Sequence, residues 1–180
     1  MEVFKNRVIR AMKLDASLYE EVEADRSAMG QAVAVVIIAS VANGIGTGGL
    51  LGFHGIILGT VASLIGWVIW ALTIYVVGTK ILPTPQTRSD PGELLRCLGF
   101  ANAPGFLSIF GMIPILGVLV RMAVSVWMLC AMVVAVRQAL DYTSTGRAIA
   151  VCLIGWLFYV IAGVVIFMLL GGMSSFMPRM

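Results

Sequence analysis

Few residues of this sequence are equipped for chemistry, and their spacing limits what they can do. The chain has 180 residues, with one histidine and three cysteines. His54 has no carboxylate near it in sequence, so it reads as an interfacial polar residue rather than a base or a pH sensor. Cys97, Cys130 and Cys152 lie in apolar stretches, too far apart for a metal-ligand spacing, where free thiols behave as small hydrophobes. There is no Ser/His/Asp or Cys/His set and no HExxH pair. The glycine cluster from Gly44 to Gly49 lacks the strand and lysine of a phosphate loop and reads as a flexible turn. No catalytic, cofactor-binding or metal-binding residue is expected. The net charge of +3 is small, and no nucleic-acid partner is expected either.

What remains is polarity embedded in apolar sequence. Sixty per cent of the residues are apolar, 12% are charged and mean hydropathy is +1.01. A soluble domain of this size keeps too much surface wet to hide that much apolar material. The solvent for most of the chain is lipid. Arg121 is then an ionisable residue inside the membrane, which is a functional-site candidate by default. Asn102 precedes Pro104-Gly105, where the missing proline N–H frees a carbonyl that needs a partner in lipid. A tight Gly111-Met112-Ile113-Pro114 turn brings Arg121 within reach, about 10 Å along its helix from Pro114. Arg121 can snorkel to the headgroups or line a polar pocket with Asn102. No span carries an internal Asp or Glu, which argues against proton or cation coupling and against membrane-embedded hydrolysis.

The elements that must position these residues follow from hydropathy. Apolar segments near 30–49, 54–79, 94–112, 114–136 and 147–171 are each long enough to cross a bilayer. The expected fold is all-α, a polytopic membrane protein of five helices. Its divisions are an N-terminal segment 1–28, a transmembrane domain 29–172 and a tail 173–180. Phe4, Val8 and Met12 recur at helical spacing, which predicts an amphipathic helix lying in the interface, apolar side down. Phe4, Arg7, Val8, Arg10, Met12 and Lys13 form its expected membrane surface. Each Lys or Arg there gains roughly 1 kcal/mol from anionic lipid. A second helix is expected to start at Ser17 with Glu20 three residues on, and to run into the first span. Asp90-Pro91-Gly92-Glu93 is a stronger start signal, with Asp90 as the cap. Small residues at Gly48, Gly52, Gly55, Gly59 and Ser63 form a packing stripe for a neighbouring span or a second copy of the chain. Ten of the 12 Lys and Arg fall on the side of the N-terminus, which predicts that end inside and the C-terminus outside.

Several stretches together resemble the Yip family of Ypt/Rab-interacting integral membrane proteins, in its small bacterial branch. They are Arg7-Val8-Ile9-Arg10, Tyr19-Glu20-Glu21-Val22-Glu23-Ala24-Asp25, Glu93-Leu94-Leu95-Arg96, Gly99-Phe100-Ala101-Asn102-Ala103-Pro104-Gly105 and Val134-Ala135-Val136-Arg137-Gln138-Ala139-Leu140. The resemblance implies a non-enzymatic membrane adaptor in a bacterial inner membrane, engaging lipids and other membrane proteins. It would work through the N-terminal helix and the inner loop from Asp90 to Arg96. Eukaryotic members bind prenylated GTPases, but this chain lacks their long N-terminal region and Asp-Leu-x-Gly-Pro motif, which argues against GTPase binding. The alternative is a small channel or transporter for a neutral or anionic solute, with a pathway along the broken third span.

Overall fold

A computed structural model describes residues 1–47 and 52–168. Gly48 of the small-residue stripe, the end of the last apolar segment, the tail 173–180 and Arg179 lie outside the described residues. Among the described residues the chain is helical throughout, without strands. Two short helices come first, α1 (Glu2–Met12) and α2 (Ala16–Ala24). Then come α3 (Met29–Gly46), α4 (Gly52–Val76), α5 (Pro91–Phe100), α6 (Leu116–Ala139) and α7 (Thr145–Phe167). Five helical stretches are long and apolar enough to cross a membrane: Arg26–Gly46, Gly52–Ile81, Pro91–Met112, Leu116–Ala139 and Thr145–Val165. The five-span, all-α reading holds.

Local chemistry sets the starts of these helices. The capping box at Asp90 forms: its Oδ1 accepts from the backbone N–H of Gly92 at 2.6 Å and of Glu93 at 3.0 Å, and Glu93 Oε2 accepts from the Asp90 N–H at 2.8 Å. The second start differs from the sequence expectation. Asp15, not Ser17, caps α2, because its carboxylate accepts both the backbone N–H and the hydroxyl of Ser17, at 3.0 and 2.7 Å. Nor does α2 run into the first span. Asp25 adopts an extended conformation and caps a new 3-10 turn at Arg26–Ala28 by accepting from Ser27 N–H at 2.9 Å.

The third span is the axis of the molecule. Its most apolar window is 67% buried within the chain, against 11% for the second span and 17% for the fourth. The span is α-helical to Phe100 and continues as a 3-10 helix over Ala103–Met112. Its α-helical half packs on α2, α3, α4 and α6, and its 3-10 half on α3 and α6 and, more lightly, on α1. Tyr19, Leu18, Val22, Leu94, Phe100, Val136 and Leu140 are fully buried in a single core. Residues of the N-terminal segment thus pack in the same core as the spans. Close approach depends on glycine: a Cβ at Gly99 would lie 2.6 Å from Ala32 Cβ and 3.2 Å from the Ala32 backbone. Gly59 on α4 has nothing within 4 Å of that position.

Opposite outcomes follow for one added methyl. Gly99→Ala should lower the melting temperature in detergent by the equivalent of about 1–3 kcal/mol, since backbone must move. Gly59→Ala should raise it slightly, since helix propensity gains up to about 1 kcal/mol with no contact disturbed. A Gly99→Ala protein as stable as the native chain would contradict the packing of the third span on α3.

Candidate functional site

Polar side chains gather in three places, and in the first two a pairing between separate helices does the positioning. At the N-terminus, Arg7 is buried and each of its three guanidinium nitrogens donates a hydrogen bond. Nε donates to Glu21 Oε1 and Nη2 to Asp25 Oδ2, both at 2.8 Å, and Nη1 to Gln31 Oε1 at 3.2 Å. Arg10 pairs with Asp15 at 2.8 Å and with Glu21. Val8 is buried, and Phe4 and Met12 pack against the core. The stripe expected to lie on the bilayer therefore faces the protein. The acidic face of α2 supplies the reason: it draws in Arg7 and Arg10, and α1 rolls its apolar side inward with them. Lys13 stays exposed, as does Lys5. Trp127 of α6 donates its indole N–H to the Met12 carbonyl at 2.8 Å, fixing the end of α1.

Titration of this clasp has a clear direction. The Asp15 carboxyl is held at about 2 by hydrogen bonds from Arg10 and Ser17, and that of Asp25 at about 2 by Ser27 and Arg7. Arg10 and then Arg7 lower that of Glu21.

At the end of the bundle where α5 starts, α2, the start of α5 and the loop between α6 and α7 border a recess of about 810 Å³ lined by Glu20, Glu23, Glu93, Arg137, Asp141 and Tyr142, among others. Arg96 holds α2 there. It is 5% exposed, and its Nε donates to the Val22 carbonyl at 2.8 Å and its Nη2 to the Glu23 carbonyl. These are last-turn carbonyls, the acceptors a helix leaves open at its C-terminus, and they carry the negative end of its dipole. On the far wall, the Tyr142 hydroxyl sits 2.8 Å from the Leu82 carbonyl and 3.1 Å from that of Gly78, and Gln138 donates to Glu20 at 2.8 Å. Desolvation first, then Glu93 and Asp141, push the Glu23 carboxyl up to about 7.

Within the spans, a groove of about 710 Å³ lies between α4, α6 and α7, floored by α3 and the third span. Asn102 and Arg121 both line it, with Ser40, Asn43, Ser63 and Ser125. No hydrogen bond joins Asn102 to Arg121. Asn102 Nδ2 donates to the Leu98 carbonyl at 2.8 Å, because its backbone N–H has turned to Gly99 in the change to 3-10 geometry before the fully buried Pro104. Arg121 Nη1 donates to the Gly111 carbonyl at 2.9 Å. Trp67 and Trp70 also line the groove, and their covered indole N–H groups have no acceptor among the described residues. Of the small-residue stripe, Ser63 reaches the groove, Gly55 is half-buried, and Gly52 (φ +63°) and Gly59 are exposed, each with open space beside it. His54 is exposed at the start of α4.

The recess was not legible in the sequence as a site. Its carboxylates are scattered over three segments, and the sequence points only to the loop from Asp90 to Arg96, without joining it to Glu20, Glu23 or Asp141. The nearest signal is the Glu93-Leu94-Leu95-Arg96 stretch just inside a strong helix start.

Such an arrangement defines a polytopic α-helical membrane protein; among the described residues no cluster could hold a metal ion. The Yip1 domain family matches residues 16–168, most of the chain, and the protein belongs to that family. No curated protein and no solved structure matches it.

Two measurements test the electrostatics. Arg7→Met leaves acids that water can reach, whereas Glu21→Gln with Asp25→Asn leaves an enclosed guanidinium without counter-charge. The acid pair should therefore speed amide exchange across α1 more than Arg7→Met does, and equal rates would contradict the clasp. Stability lent by Asp15, Glu21 and Asp25 is present above their ordinary range near about pH 4 and is lost as pH falls toward 2. Glu23 acts in the opposite sense: its contribution is full below its ordinary value and is lost as pH rises through about 7. Glu23→Gln should raise the melting temperature by a few degrees at about pH 8 and leave it unchanged at about pH 4. A similar rise at both pH values would contradict the repulsion.

Proposed function

We propose that this Yip-family protein is a non-enzymatic membrane adaptor that docks other membrane proteins on its inner face. The observation that carries the reading is the inner recess. Four carboxylates and Arg137 line an open cavity that is positioned by Arg96 and holds no nucleophile–base pair. Such a surface recognises a basic or hydrogen-bonding segment and holds it. The setting that fits is a bacterial inner membrane with the N-terminus in the cytoplasm. Lys5, Lys13, Arg26, Lys80 and Arg147 are exposed around that end and favour an anionic leaflet. GTPase binding is not part of the proposal, and a homo-oligomer formed through α4 is compatible with it.

Native mass spectrometry on the chain gently extracted from its own membranes tests the docking. A stoichiometric second protein should accompany the native chain and be lost from Glu93→Lys with Asp141→Lys. A native chain that never carries a partner, or a partner indifferent to the reversal, would contradict it.

A second reading, a pathway for a neutral or anionic solute, is favoured by the groove that Asn102 and Arg121 share. If it holds, Arg121→Ala should reduce anion flux through reconstituted vesicles. Unchanged flux would remove it.

A further inference from the structure

We infer that the groove between α4, α6 and α7 seats one anionic phospholipid, its phosphate on Arg121 and one acyl chain running along α6 to the level of Met132. Three observations carry this beyond the inner-face docking role, and its failure would leave that role untouched.

The first is where Arg121 ends. Its side chain climbs one turn toward the end of the span, so that Nη1 lies 3.3 Å from where a Cβ on Gly117 would sit. That is the level of the headgroups, since Gly117 is the second residue of α6. Nη1 donates to the Gly111 carbonyl, and among the described residues no carboxylate pairs with Arg121. A guanidinium offers a planar fork of five N–H donors. Nη2 and Nε are left for a phosphate, which accepts such a fork bidentately.

The second is the shape of the groove. From Arg121 to Met132 it follows α6 for about 16 Å. One leaflet of a bilayer core is about 15 Å thick, the depth that a single acyl chain fills. The wall along this run is apolar and soft: Val124, Met128, Met132, Trp67 and Trp70. Methionine and indole surfaces adapt to a chain of methylenes.

The third is where it opens. Ser63, Ser125, Leu129, Trp156 and Tyr159 are exposed lining residues in the middles of their helices, so the mouth faces the bilayer sideways. Toward α3 it is shut. A Cβ at Gly46 would overlap the Ser108 carbonyl, so the backbones touch there and leave no passage between α3 and the third span. A second copy packed alongside in the same orientation brings no carboxylate to Arg121, because the one acid within the five spans, Glu93, lies at the opposite end of the bundle. A phospholipid from the surrounding leaflet brings the phosphate and the chain together.

Lipid retention tests this. The full chain, purified in mild detergent and stripped of lipid, is offered phosphatidylglycerol, phosphatidylcholine or inorganic phosphate and read by native mass spectrometry and melting temperature. The native chain should keep one phosphatidylglycerol and melt higher with it. Phosphatidylcholine should be kept about tenfold less, and inorganic phosphate should not protect. Arg121→Gln should abolish the preference and Arg121→Lys should restore most of it. Ser125→Trp, at an exposed lining position, should block retention while leaving Arg121 in place. Equal retention of both lipids by the native chain, preference unchanged in Arg121→Gln, or undiminished retention in Ser125→Trp would overturn the assignment. Protection by inorganic phosphate alone would also overturn it, by showing a free-anion site instead.

Discussion

A helix leaves its last carbonyls without partners of its own, and the structure meets this need with guanidinium groups. Arg96, buried near the start of the third span, donates to the last-turn carbonyls Val22 and Glu23 of α2. The contact joins residues more than seventy positions apart and fixes α2 against the axis of the bundle. Leu18, Tyr19 and Val22 are then shut into the core, and Glu20 and Glu23 are left on the rim of the inner recess. Without that lock the recess would have no near wall.

The same device recurs at the other end. Arg121 donates to Gly111, the carbonyl where the third span stops, and takes the direction of its side chain from that bond. Between the two arginines the third span changes from α to 3-10 geometry, and Asn102 meets the carbonyl that the change leaves behind. The most buried span is thus the least regular one. Neighbouring helices hold it, and its irregularity opens room for the groove beside it. In a medium without water, unsatisfied backbone polarity costs more than the local distortion. The chain keeps the distortion and satisfies the carbonyls.

The parts of this architecture that were legible in the sequence are those decided locally. Hydropathy placed five spans because each helix must match the bilayer thickness by its own length. Asp90 marked the start of the third because cap, proline and Glu93 sit within four residues. What was not legible depended on partners far off in the chain. Phe4, Val8 and Met12 make the same stripe whether they meet lipid or protein, and the choice falls to Arg7 and its acids, fourteen and eighteen residues away. Asp15 takes the place of Ser17 as the cap of α2 because the helix starts two residues earlier, at Ala16, where the Asp15 carboxylate accepts the Ser17 N–H and is itself held by Arg10. Arg96 looks in sequence like an orienting charge. Its role as a carbonyl donor needs α2 folded back upon it.

The lock is the claim on which the inner face rests, and hydrogen exchange tests it most directly. Arg96→Met keeps the length and apolar stem of the side chain and removes the donors. Amide exchange of the full chain in lipid nanodiscs, compared between the native protein and this variant, should show residues 16–24 exchanging at least about tenfold faster while the outer halves of the spans stay protected. Unchanged protection of residues 16–24 would contradict the account, because α2 would then be held by its apolar face alone.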